Sequence, residues 1–204
     1  PRAKAIAQAV FPRLLTAVRR SELRLVHVVG GGDYYRNLPG YQRVAELAKP
    51  EPPAPEPIEP GDVHRRLTEF RSRNVTIGEV NRPDVQRAFA HLDFDPHARP
   101  AEGEPIAENS HQLYVWCRET GVDHLIYCGF AVNWCLLLSP GGMADMSRRG
   151  LLCSVIRQAT TAVENRETAR TEAAKALALW RVALAFGFVY DLDDFLAALS
   201  GGER

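Results

Sequence analysis

Cys135 follows an apolar run and a short turn, in the order HLIYCGF, AVNW, C. The run (124–130) reads as a strand covered on both faces, and a helix follows, so the thiol falls on a first helical turn. Unpaired backbone amides and the positive end of the helix dipole favour thiolate there. The same amides can hold the oxyanion that forms when a thiolate attacks a carbonyl. A plain packing role also fits, because free cysteine is among the most buried residue types. Trp134 could stack on an aromatic ring beside the thiol, or serve as a core or interface residue. Asn133 could donate to a substrate carbonyl, or cap the helix that begins at Cys135. Ala131 and Val132 complete the turn.

Other chemistry-bearing residues are dispersed. Gly30-Gly31-Gly32-Asp33 follows a strand but matches neither GxGxxG nor GxxxxGK[ST], and Tyr34 and Tyr35 stand where a phosphate would sit. Asp33 nonetheless lies at the carboxyl end of that strand, the edge where open parallel sheets place ligands. Cys117, Cys128, Cys135 and Cys153 follow no CxxC or His-pairing spacing, which argues against zinc. His27, His64, His91, His97, His111 and His124 are scattered. No metal and no cofactor is expected.

The elements that must position these groups alternate. Residues 2–20 carry one apolar stripe, Ile6, Val10, Leu14, Leu15 and Val18, with Pro12 expected to kink the helix or join two pieces. Residues 24–29 read as a buried strand. Residues 33–60 have little periodicity, and 50–60 carry six prolines, which predicts an extended surface loop. Helices are expected over 61–72, 82–92 and 110–121, the last with Ser110 as cap and Gly121 as stop. A strand is expected at 74–80, and further strands at 151–157 and 186–192. A helix capped by Thr160 or Thr161 should run to Ala185, and DDFLAAL closes the chain. Strands alternating with helices of this length predict an α/β fold with a parallel sheet between helical layers.

Composition narrows the partners. Lys plus Arg and Asp plus Glu both number 25, so no global basic field exists to hold nucleic acid or an anionic membrane. No apolar run approaches the ~20 residues of a membrane span, and Lys4, Gln8 and Pro12 interrupt any signal-peptide core. A small-molecule substrate or ligand, a reduced cytoplasmic setting and a single domain over 1–204 with a Pro-rich insertion at about 33–60 are the expectations.

GFAVNWC (129–135) resembles the G-x-(A/V)-T-(N/D)-x-C segment of the isochorismatase-like cysteine hydrolases, the superfamily that includes nicotinamidases. Ala144-Asp145-Met146 before Gly150 resembles that family's A-x-D-A helix. VIRQAT (155–160) is similar to its strand and "DAT" turn, and FVYDL with DDFLAAL to its C-terminal unit. Residues 2–29 resemble its first helix and second strand. The resemblance implies a three-layer, Rossmann-like α/β/α sandwich and a homo-oligomer. It also implies a Cys135 thiolate attacking a small amide or related carbonyl, with an oxyanion site that includes the Cys135 amide and adjoins a cis peptide at Ala131–Val132.

Several family features have no counterpart. The family's Asp, in a V-x-D-x-Q segment on its first strand, would precede residue 1. Its Lys is not matched by Lys4, Lys49 or Lys175, although Arg99 or His111 could replace it in charge. Val132 stands for the motif threonine and Gln158 for the "DAT" aspartate, and SPGG (139–142) should break the helix after Cys135. Three readings stay open: an active hydrolase completed by an upstream segment, a catalytically decayed member that binds a ligand or protein, or altered chemistry pairing Cys135 with His111 or His97. The family's first strand lies mid-sheet and its loss would leave two half-sheets with unpaired edges, so either an upstream segment or a rearranged sheet closed by residues 74–80 is expected.

Overall fold

The computed structural model describes residues 2–75 and 78–201, without the side chain of Ala88. The chain divides into two compact units, Pro1–Pro50 with Phe94–Arg204, and Glu51–Asp93.

The larger unit opens with α1 (Arg2–Ala9) and α2 (Phe11–Arg20). They separate at Val10, and Pro12 sits in the first turn of α2, where a missing N–H costs nothing. The expected join is thus found. β1 is short, His27–Val28, and α3 (Pro39–Leu47) forms where no periodicity was legible.

The smaller unit holds two helices, α4 (Asp62–Asn74) and α5 (Gly78–Ala90). These replace the strand expected at 74–80: Asn74 ends α4, and residues 78–80 begin α5. Residues 76 and 77 of that expected strand lie outside the described residues.

The larger unit resumes with β2 (Ile106–Ala107), α6 (Ser110–Thr120) and β3 (His124–Gly129). Gly121 ends α6 at φ 69°, in the left-handed region as expected, but the cap is Asn109, which accepts from the Gln112 N–H. α7 (Cys135–Leu138) and α8 (Met143–Arg148) follow, separated by SPGG, then β4 (Leu152–Thr160). Thr160 ends this strand rather than capping a helix, and α9 starts only at Ala173 and runs to Ala185. β5 (Val189–Tyr190) and α10 (Leu192–Gly201) complete the unit.

The architecture is α/β with parallel strands, in two ladders. β1 pairs with β2, His27 opposite Ile106 and Val28 opposite Ala107. β3, β4 and β5 form a second ladder in that order. The strands and the segment leading into β1 border the same two cores. Leu25 and Ile126 pack into the core beneath α1, α2 and α10, whereas Val26 and Tyr127 pack into the opposite core beneath α6, α8 and α9. Alternation sends Ile126 and Tyr127 of β3 to opposite helical layers, the same two that Leu25 and Val26 enter just before β1.

β1 and β3 each have one unpaired edge, and no hydrogen bond pairs the two strands among the described residues. The His27 and Val29 N–H groups bond to β2, which turns Val26 and Val28 to the open side. The Leu152 N–H bonds the Asp123 carbonyl, so His124, Ile126 and Cys128 likewise face away from β4. Closure by residues 74–80, one of the two expected outcomes, is not found: Asn74 ends α4 and residues 78–80 begin α5.

Candidate active site

Cys135 is the first residue of α7 and is exposed. What fixes it is the turn before it. A cis peptide joins Phe130 to Ala131, one residue earlier than the resemblance implied. The Val132 N–H then donates to the Thr161 carbonyl at 2.7 Å, tying the turn to the end of β4. Asn133 clamps the next residues: its Nδ2 donates to the Val163 carbonyl at 2.9 Å, and its Oδ1 accepts from the Val163 N–H at 2.8 Å. Glu164, adjoining that clamp, accepts from the N–H groups of Ala174 and Lys175 in the first turn of α9. The cysteine turn is thus bound through one loop to a strand end and a helix start.

Asn133 therefore does not cap α7; the cap position is Trp134, without a side-chain bond. Trp134 is exposed, and its N–H and that of Leu136 both reach the Ala131 carbonyl at 3.1 Å. The Cys135 N–H has no protein acceptor among the described residues. Ala131 and Val132 are buried and act as backbone.

The other expected site residues are placed apart from this turn. His111 Nε2 donates to the Ala48 carbonyl at 2.9 Å, which ties α6 to the end of α3. His97 Nδ1 lies 2.9 Å from Asp95 Oδ1. Asp33 is exposed in the turn after β1, its carbonyl accepting from the Arg36 N–H. No hydrogen bond or ion pair links Cys135 to a carboxylate, amine or imidazole among the described residues. Lys175 is buried in α9, its ammonium held below the usual lysine range by desolvation.

Two polar clusters went unread. At the carboxyl end of β2, Glu108 accepts from the hydroxyls of Tyr35 at 2.7 Å and Tyr41 at 2.5 Å. Arg36 stands 3.4 Å away. Burial opposes the Glu108 charge, but the two phenol donors prevail and hold it below the usual carboxylate range. Tyr41 is pushed up to about 12, by desolvation first and by this carboxylate second. At the other end of the ladder, Glu104 accepts from Arg19 at 2.7 Å and meets His27 Nε2 at 2.8 Å. These pairings join residues some seventy to eighty-five apart, and no local spacing announces them. The only local signal was the polar and aromatic run DYYR after the glycines.

The SPGG loop is equally well anchored. Ser110 Oγ donates to Asp145 at 2.6 Å and accepts from the Gly141 N–H at 2.8 Å, while the Tyr127 hydroxyl donates to the Gly141 carbonyl at 2.9 Å. A Cβ at Gly141 would meet Val28 Cγ1 at 3.1 Å, and φ is +78° there, so this position is kept for glycine. Ser110, expected to cap α6, instead holds this loop.

Cys135 thus stands where a strand leads into a helix, at the carboxyl edge of parallel strands. The fold is shared with several solved structures. An isochorismatase-like hydrolase from Alkaliphilus metalliredigens superposes with a TM-score of 0.57 at 15% identity, over 97% of this chain and 86% of that one. A cysteine hydrolase from Pseudomonas syringae pv. phaseolicola gives 0.60 at 14%, over 98% and 83%. An isochorismatase from Pseudomonas putida gives 0.51 at 16%, over 94% and 78%. No family model matches the sequence, and no curated protein matches it. The chain has the isochorismatase-like hydrolase fold.

Proposed function

We propose that this chain is a divergent isochorismatase-like cysteine hydrolase in which Cys135 attacks a small amide or related carbonyl compound. One observation carries the reading: the thiol is solvent-facing on the first residue of α7, and the amide beside it is unclaimed. The sulfur adds to the carbonyl carbon, and the Cys135 N–H steadies the oxygen anion. The C–N bond breaks, the amine leaves with a proton, and water hydrolyses the thioester to the acid and free thiol. Asn133 and Trp134 border the approach, the first as a rigid backbone clamp and the second as an exposed aromatic surface for the substrate.

Among the described residues no group is hydrogen-bonded to Cys135 to move the proton, so water carries it in this scheme. Positioned acid–base groups are worth ~10²–10⁴-fold, and turnover should be slow by that margin. His111, engaged by Ala48, is not drawn into the step. Four unpaired cysteines support a reducing, cytoplasmic setting, and a homo-oligomer is carried over from the resemblance.

The isolation of the thiol favours a second reading, a decayed member that binds a ligand or protein through the same edge. Intact-mass analysis after incubation with p-nitrophenyl acetate and with a panel of small amides separates the two. The hydrolase reading expects an acyl adduct on Cys135 and product release that vanish in Cys135→Ala. Equal product release from both proteins, or none from either, sinks it.

A further inference from the structure

α4 is a helix with an apolar seam and nothing of its own to bury it. Every residue from Gly61 to Arg71 is exposed. Val63, Leu67 and Phe70, at 68%, 63% and 62% exposure, recur at intervals of four and three and make one stripe two turns long. α5 does not cover it. Arg82 donates to the Ser72 carbonyl at 3.2 Å and to its Oγ at 3.3 Å, and Ser72 lies on the side of α4 opposite the stripe. The seam is turned outward from its own hairpin. A helix of 13 residues with no buried residue is marginal in water, so an unfilled contact is what this helix lacks.

Charge specifies the occupant. His64 and Arg71 flank the stripe on one side, Arg66 and Arg73 on the other. Arg65 is paired with Asp62, and Arg73 with Glu69 and Glu79, but no ion pair engages Arg66 or Arg71 among the described residues. A second copy of α4 would bring arginine against arginine across the seam, which the flanking positions of paired helices select against. A bilayer-surface helix would need a wider apolar face than three side chains provide. We propose that the outward face of α4 docks an amphipathic helix of a partner protein, one whose apolar stripe is flanked by carboxylates.

The probe is a synthetic three-heptad peptide with Leu at a and d and Glu at e and g. Repulsion among its own glutamates leaves it largely unfolded alone, so helix gained on mixing with the whole chain reports docking by circular dichroism. Binding should weaken as salt is raised. Leu67→Glu with Phe70→Glu should abolish it. Arg66→Glu with Arg71→Glu should weaken it about tenfold and confer binding of the matching Lys-flanked peptide. Because α4 is solvent-facing, these variants should leave the thermal unfolding of the rest of the chain in place, which is checked alongside. No gain of helix, or equal binding of the Glu- and Lys-flanked peptides by the unaltered chain, overturns the proposal. So does a seam-dependent dimer in sedimentation, or seam-dependent capture by phosphatidylserine vesicles in place of the peptide.

Discussion

Asn133 and Val163 hold each other in both directions, side-chain amide to backbone, at 2.9 and 2.8 Å. The clamp links the residue two before Cys135 to the loop beyond β4, and it fixes where the sulfur is presented. Asn133→Leu removes both bonds. A net loss of about 1 kcal/mol is expected, a fall of about 2–4 °C in Tm for a chain of this size. Asn133→Asp, which keeps the acceptor alone, should fall between. Unchanged melting in both variants would show that the loop is held by Val132 and Thr161 without help.

The four thiols should react in a definite order. Burial pushes Cys117 up to about 12 and Cys153 to about 11, whereas Cys128 and Cys135 are both exposed. Thiolate is the reactive form. With iodoacetamide near neutral pH, peptide mapping should find the exposed Cys135 and Cys128 labelled ahead of Cys117 and Cys153, which lag until the fold opens. Cys135→Ser should remove one of the two fast sites. Labelling of Cys117 or Cys153 as fast as that of Cys135 would contradict this placement of the thiols.

Acid should weaken this protein in two steps. Desolvation lowers His27 from 6.5, and its bond to Glu104 does not reverse this. Glu104, although burial opposes its charge, is drawn from 4.5 down to about 2 by the donors Arg19, His27 and the Ala101 N–H. In both cases the unfolded chain binds protons more readily. The stability they confer is complete above pH 6.5, ebbs first as pH falls below that value, and ebbs again between about 4.5 and 2. Urea midpoints across this range should show both limbs, and Glu104→Gln should flatten the lower one. A midpoint independent of pH from 7 to 3 would refute the pairing.

The open lips of β1 and β3 are testable by amide exchange. Val26, Val28, Ile126 and Cys128 point their N–H groups away from their ladders, whereas Val29, Leu125 and Tyr127 point theirs inward. The first set should exchange much faster than the second in D2O, although they alternate along the same strands. Uniform protection would mean that the lips are joined in solution.

Parts of this structure could be read from local pattern. The break at Pro12, the Gly121 stop, the interruption at SPGG and the strand into Cys135 each depend on a few neighbouring residues, and each is present. NVTIGEV was misread because its β-branched residues resemble a strand, yet helices enter it from both sides. Thr160 was misread as a cap because a threonine before an apolar run serves either purpose. At the site, the position of Cys135 was legible. The clamp from Asn133 to Val163 was not, because its thirty-residue separation leaves no trace in spacing. The same holds for Glu108 with its tyrosines and for the Ala48 partner of His111, both products of tertiary approach.

The parallel ladders also govern how fast this chain can organise. Pairing His27 with Ile106 must close a loop of about 80 residues, with the α4–α5 hairpin inside it, before a single bond rewards the closure. Parallel strands offer no short-range shortcut, so the larger unit should fold on the slow side for its length. Shortening Glu51–Asp93 to a brief glycine-serine bridge should quicken folding, while unfolding rates stay near their original value. The hairpin would then delay assembly without holding the finished unit together.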